Sequence, residues 1–230
     1  MPGSAILFVG LGSVAEYAET DRAAWNAAFR AHGMRWEWSW ESYAELMRPG
    51  GARDPAAHYA AFIGIETKTA ELVATQVRNF AARMTGDVPL RQGVTDVLAW
   101  AARSGVTLGL ISRAAPAAVH AVLGATARHR GGIAFDTVMT GADSTRLAPH
   151  PDAVEDALDR LKVAARDAVA IADTPASAAA ALDAGLATLA YPSFLAEEQA
   201  FPAAAERLSG TLTADAVAAL IDAAQQTAAE

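Results

Sequence analysis

The 230-residue chain has no cysteine, which excludes disulfides, thiolate catalysis and cysteine-ligated metals. Lysine is nearly absent: Lys68 and Lys162 stand alone, and arginine carries almost all of the positive charge. Positive charge is itself in deficit. With a formal net charge of −8 and an isoelectric point near 5.1, the chain has no basic patch to neutralise phosphates, so nucleic acid and anionic membrane surfaces are excluded as partners. No apolar run approaches the ~20 residues of a membrane span. Met1-Pro2-Gly3-Ser4 lacks the basic region of a secretion signal, so the expected setting is soluble and cytoplasmic. Repeats and low-complexity linkers are missing too, and the length suits one domain or a core with a smaller inserted cap.

What the sequence does have begins with the run Ala5-Ile6-Leu7-Phe8-Val9, which reads as a buried strand entering the glycine-bearing turn Gly10-Leu11-Gly12-Ser13-Val14. In a doubly wound α/β protein the ligand lies beyond the carboxyl ends of the strands, so residues 9 to 14 should face the cleft. Here that stretch is apolar.

Further along, Tyr17, Asp21, Trp25 and Phe29 recur at helical spacing between Glu16 and Gly33. Helices are expected at 40–47, 54–63 and 67–84, with Arg48-Pro49-Gly50-Gly51 as a loop. These make a small helical bundle inserted after the first strand. The alternation Trp36-Glu37-Trp38-Ser39-Trp40 could be taken for an aromatic ligand box, but such residues more often pack loops onto a bundle, and packing is the reading adopted.

From Pro89 strands alternate with helices, which predicts a parallel sheet covered on both faces. Helices are expected at 92–104, from Pro116, at 151–162 after Pro149-His150-Pro151, after Asp173-Thr174-Pro175, and at 213–229. Strands are expected at 106–111, 135–139, 168–171 and 187–190. The predicted organisation is a core of 1–15 and 89–230 with a helical cap of 16–88.

Taken in order, Ala5 to Phe8, Arg22 to Phe29, Trp36 to Leu46, Gly50-Gly51, Pro89 to Arg91, Leu110 to Ser112, Pro149 to Asp152, Ala170 to Pro175, Ala181 to Gly185 and Pro192 to Phe201 carry a resemblance over nearly the whole chain. The chain resembles the haloacid dehalogenase (HAD) superfamily, in its capped, CbbY-type branch of sugar-phosphate phosphatases and mutases. The resemblance implies a Rossmann-like parallel sheet core with an inserted cap.

It also implies what the turn after the first strand should contain. The family's first motif, Phe-Asp-x-Asp-Gly-Thr, supplies a nucleophilic aspartate and then an acid/base aspartate; this chain has Val9 and Leu11 there, with Gly12 and Ser13 following. The second motif's serine or threonine is matched by Ser112. The third motif's lysine is missing, since Leu147 and Ala148 precede Pro149. The paired acidic residues of the fourth motif are reduced to Ala172-Asp173, leaving Asp173 as the only candidate metal ligand. In the cap, the phosphate-gripping Gly-Gly-Lys-x-Arg segment reads Gly50-Gly51-Ala52-Arg53-Asp54, and Tyr17, Ala18 and Asp21 replace the usual threonine, glutamate and histidine of the hinge.

The changes at Val9, Leu11, Ala148 and Ala172 go together. A lysine left alone would be a buried, unpaired cation costing several kcal/mol, so joint neutralisation keeps such a fold stable without metal. No cofactor is expected. The candidate pocket comprises Ser13, Glu16, Tyr17, Ser112, Arg113, His150 and Asp173. Ser112, His150 and Asp173 superficially suggest a hydrolase triad. A simpler account has Ser112 bonding a strand-end backbone group, His150 solvated in its Pro-flanked loop and Asp173 capping the next helix. His32, His58, His120 and His129 lack metal-ligand spacing.

Two functions follow as expectations: a HAD-like protein without magnesium-dependent phosphatase activity that binds a small molecule or a protein, or an enzyme of metal-independent, non-phosphoryl chemistry using Glu16, Tyr17, Arg113 or Asp173. Association with a functional homologue as a regulatory subunit is a third, blander possibility.

Overall fold

The structure is a computed structural model that describes residues 3–47, 55–65, 69–84, 90–114, 116–128, 134–141 and 150–227. Six strands form one wholly parallel sheet in the order β3-β2-β1-β4-β5-β6: β1 Ala5–Val9, β2 Thr107–Ile111, β3 Thr137–Met139, β4 Ala168–Ala172, β5 Ala187–Ala190 and β6 Glu206–Arg207. Strand β1 lies between β2 and β4, with Val9 level with Ile111 on one side and Ala172 on the other.

Because successive strand side chains point to opposite faces, the run in β1 feeds two cores. Ile6 and Phe8 join Val94, Leu98, Val119 and Val217 from helices α5 (Val94–Ser104), α6 (Pro116–Arg128) and α9 (Ala214–Thr227). Ala5, Leu7 and Val9 face Ala153, Val154, Ala157 and Ala181 from α7 (Pro151–Leu161) and α8 (Pro175–Asp183). A strand buried on both faces reads as continuous apolar sequence, which is why β1 and β4 were legible. Alanine alternates through β4, and these small side chains let α8 approach the sheet closely.

Four helices lie between β1 and α5: α1 Ala18–Ala31, α2 Trp40–Leu46, α3 Pro55–Phe62 and α4 Thr69–Arg83. Helix α1 packs along α4, and Trp25, Phe29, Trp38, Tyr43 and Leu72 form their own apolar cluster. Trp38 is fully buried with its ring 4.8 Å from Phe29. Its backbone is held by Asn26, whose Nδ2 donates to the Trp38 carbonyl at 3.0 Å and whose Oδ1 accepts the Trp38 N–H at 2.8 Å. The tryptophan alternation therefore packs a loop onto the bundle.

Three expectations need correction. Helix α1 starts at Ala18, two residues later than expected, because Ala15 is engaged in an antiparallel bridge to Leu90 just before it. Strand β6 was not expected, since both its residues are exposed and only its backbone pairs with β5. The cap of α8 is Thr174, whose hydroxyl accepts the Ser177 N–H at 3.2 Å, and not Asp173. Pro89, His129, the segment Arg48 to Asp54 and the segment Leu147 to Pro149 lie outside the described residues.

Candidate functional site

The site is built on the turn after β1. Gly10 has φ 102° and ψ 139°, a region open in practice only to glycine, and it turns the chain into a short 3₁₀ turn over Leu11–Ser13. The Ser13 hydroxyl donates to the Gly10 carbonyl at 2.6 Å and closes that turn. A brace then fixes it from outside: Arg91 donates to the carbonyls of Gly12 at 3.1 Å, Tyr191 at 2.7 Å and Pro192 at 2.6 Å, and its Nε lies 3.1 Å from the Glu16 carboxylate. Burial pushes Glu16 upward in pKa, against the pull of Arg91.

Above the turn, at the carboxyl ends of β1, β2 and β4, lies a cavity of about 350 Å³. Val9, Leu11 and Ile111 form its floor, Ser112 and Arg113 one side, and Asp173 to Ser177 another. Tyr17, Asp21 and Trp25 of the α1 region and Gln76 and Phe80 of α4 cover it, with Leu195, Ala196 and Gln199 at the rim. Trp40 meets Phe194 edge-on at 5.0 Å, and Leu195 packs into the cluster of α1 to α4, so this loop ties the helical layer to the sheet.

The floor is dry in character: Val9 is 1% and Leu11 2% exposed. Among the described residues, the carboxylate that the sheet itself brings to this floor is Asp173, 5% exposed, while Asp21 reaches the cavity from α1. Asp173 accepts from the Ser177 hydroxyl at 3.1 Å and from the Gly12 N–H, while burial pushes its pKa up to about 6. Magnesium asks for an octahedron of oxygen ligands, typically with more than one carboxylate. Two alkyl side chains and one carboxylate already bonded to protein donors do not fit that ion, and the described residues contain no group of three His, Asp or Glu side chains able to hold a metal.

Of the candidate pocket residues, Tyr17, Ser112, Arg113 and Asp173 meet in this cavity. Ser13, Glu16 and His150 do not line it. Ser13 turns inward to Gly10, Glu16 turns to Arg91, and His150 caps α7, its ring nitrogen 3.3 Å from the Asp152 N–H and 3.0 Å from the Asp152 carboxylate. The triad of Ser112, His150 and Asp173 is therefore not assembled. Ser112 Oγ instead accepts the Ala114 N–H at 3.1 Å, as a strand-end hydroxyl does. Ala148 lies outside the described residues.

Asp21 is the residue that sequence reading undervalued. It is half-buried on α1, accepts from the Tyr43 hydroxyl at 2.8 Å and from the Gln76 amide, and burial pushes its pKa up to about 6 despite these bonds. The signal was present: Asp21 interrupts the apolar stripe Tyr17, Trp25, Phe29. Tyr43 and Gln76 carried no comparable signal.

A raised carboxyl pKa means that the folded chain holds the proton more tightly than the unfolded chain does. Stability therefore falls as pH rises from about 4 to 6, and the full penalty is in place above 6. Asp21→Asn is expected to remove Asp21's share of this slope, narrowing the pH 5 to pH 7 stability difference by roughly 1 kcal/mol in urea denaturation, while the share of Asp173, raised likewise to about 6, remains.

Residues 24–191 match the haloacid dehalogenase-like hydrolase family. The chain belongs to that family. Within it, the chain is 32% identical to CbbY from Cereibacter sphaeroides over 208 residues, covering 89% of this chain and 90% of that one. A crystal structure of CbbY from Rhodobacter sphaeroides in complex with phosphate superposes with a TM-score of 0.78 at 31% identity, covering 92% of this chain and 95% of the other. An aspartate-to-asparagine variant of the same protein in complex with xylulose-(1,5)bisphosphate gives a TM-score of 0.77 at 30% identity, covering 90% and 94%. The parallel six-stranded sheet with its flanking helices is thus a HAD-like α/β fold.

Proposed function

We propose that this HAD-like hydrolase homologue lacks magnesium-dependent phosphatase activity and works by binding a small molecule or a protein, with residues 16–88 as its cap. The observation that carries the proposal is the pair Val9 and Leu11 on the cavity floor, where the family's motif places the nucleophile and the acid/base. An alkyl side chain can neither attack phosphorus nor shuttle a proton, and loss of a covalent nucleophile costs on the order of 10⁶ in rate. Asp173, the remaining carboxylate, is engaged by Ser177 and Gly12.

The expected result is that purified protein with magnesium turns over neither p-nitrophenyl phosphate nor xylulose 1,5-bisphosphate above the buffer rate. Turnover at ordinary phosphatase rates, abolished by a chelator, would overturn the proposal. A second reading, metal-independent chemistry in the same pocket, draws on the meeting of Tyr17, Arg113 and Asp173 there; its fourth group, Glu16, is held by Arg91 instead. Product formation from a metabolite mixture in the presence of chelator is its mark.

A further inference from the structure

Two carboxylates border the cavity with no ion-pair partner among the described residues, and Arg91 acts on Asp173 only from beyond ion-pair distance. Asp21 reaches the cavity from α1 and Asp173 from the end of β4. Their hydrogen-bond partners include the neutral groups of Tyr43, Trp25, Gln76 and Ser177 and a backbone N–H, which fix the carboxylates in place without cancelling their charge. Arg113 is the one cationic side chain among the described lining residues, and it is exposed.

Much of the remaining lining is aliphatic, and beside it stand aromatic rings and two hydroxyls. The rings of Tyr17, Trp25, Tyr43 and Phe80 border the space, and aromatic faces attract a cation placed within about 6 Å. Ser112, 3% exposed, accepts from Ala114, and its own hydroxyl proton meets no acceptor among the described residues. The Tyr17 hydroxyl likewise has no hydrogen-bond partner among them. A volume of about 350 Å³ admits a small organic molecule and little more.

We propose that this pocket takes a small organic cation, an ammonium or amidinium group on an aromatic or aliphatic body, with Asp21 and Asp173 as its counter-charge. A phosphate ester would set two anions against its own. The inference rests on the small-molecule reading above and names the ligand class for the same site. Ser112 and Arg113 offer donors to an acceptor group elsewhere on such a ligand.

The test is calorimetry on the full chain with phenethylamine, benzamidine, isobutylamine and agmatine, beside the neutral isostere 2-phenylethanol and the anion glucose 6-phosphate. At least one amine or amidine is expected to bind at one site, 2-phenylethanol and the phosphate ester are not, and Asp21→Asn is expected to weaken binding about tenfold or more. Asp173→Asn should act the same way; if that variant does not fold, Asp21→Asn decides. Equal binding of amine and alcohol, preference for the phosphate ester, or no binding by any cation at millimolar concentration overturns the inference. The last result, together with absent phosphatase turnover, leaves the proposed function standing. Magnesium-dependent turnover strikes the proposed function itself.

Discussion

Gly10→Ala is expected to destabilise the protein by about 3–5 kcal/mol, measured by urea denaturation. Two effects add. At φ 102° and ψ 139° an alanine is strained by ~1–3 kcal/mol. Its Cβ would also land on the carboxyl group of Asp173. That carboxyl has little freedom to retreat, because Ser177 and the Gly12 N–H hold it and the side chain is 5% exposed. Overpacking of this kind costs a further ~1–3 kcal/mol. The two parts separate in an Asp173→Ala background, where the clash disappears and only the backbone strain remains. A full penalty there would show that the collision with Asp173 contributes nothing.

The second large effect belongs to Arg91. Arg91→Ala is expected to cost about 3–5 kcal/mol, because three backbone carbonyls lose a charged donor at once. The guanidinium also lies 3.3 Å over the ring of Tyr191 and covers it. Arg91→Lys should recover less than half, since a single ammonium cannot present a planar fork to several carbonyls. Glu16→Gln should cost under about 1 kcal/mol, because the Glu16 side chain is 38% exposed and water screens that ion pair. If Glu16→Gln cost as much as Arg91→Ala, the ion pair and not the carbonyl contacts would be the main support.

Much of this fold could be read before any coordinates. Strand β5 falls at residues 187–190 as the sequence suggests, and α7 begins where Pro151 follows the capping His150. These succeed because three of the four residues of β5 are apolar and three are buried, and because proline at the first helical position marks a start. Strand β6 fails for the opposite reason: Glu206 and Arg207 are exposed, so nothing in their side chains records the pairing.

The site was legible in a different proportion. The turn, Tyr17, Ser112, Arg113 and Asp173 all border the cavity at the sheet's carboxyl end. What the sequence could not specify was the direction of neighbouring side chains. Ser13, Glu16 and His150 are each near the turn or the sheet end in sequence terms, and each is drawn aside by a partner: Gly10, Arg91 and Asp152. The cover of the cavity was harder still. Tyr43 and Gln76 come to Asp21 from α2 and α4, across 22 and 55 residues of chain, and no local pattern marks them.

The Arg91 brace also bears on the order in which the chain can assemble. Its carbonyl partners lie 79, 100 and 101 positions away in sequence. Contacts of such long range are rewarded only after the intervening loop has been closed, which is the slow part of forming a topology of this kind. During synthesis β1 and its turn emerge well before residues 191 and 192, yet two of the three carbonyls that hold Arg91 in place arrive only when those residues have left the ribosome. The turn under the cavity is thus made long before it can be secured.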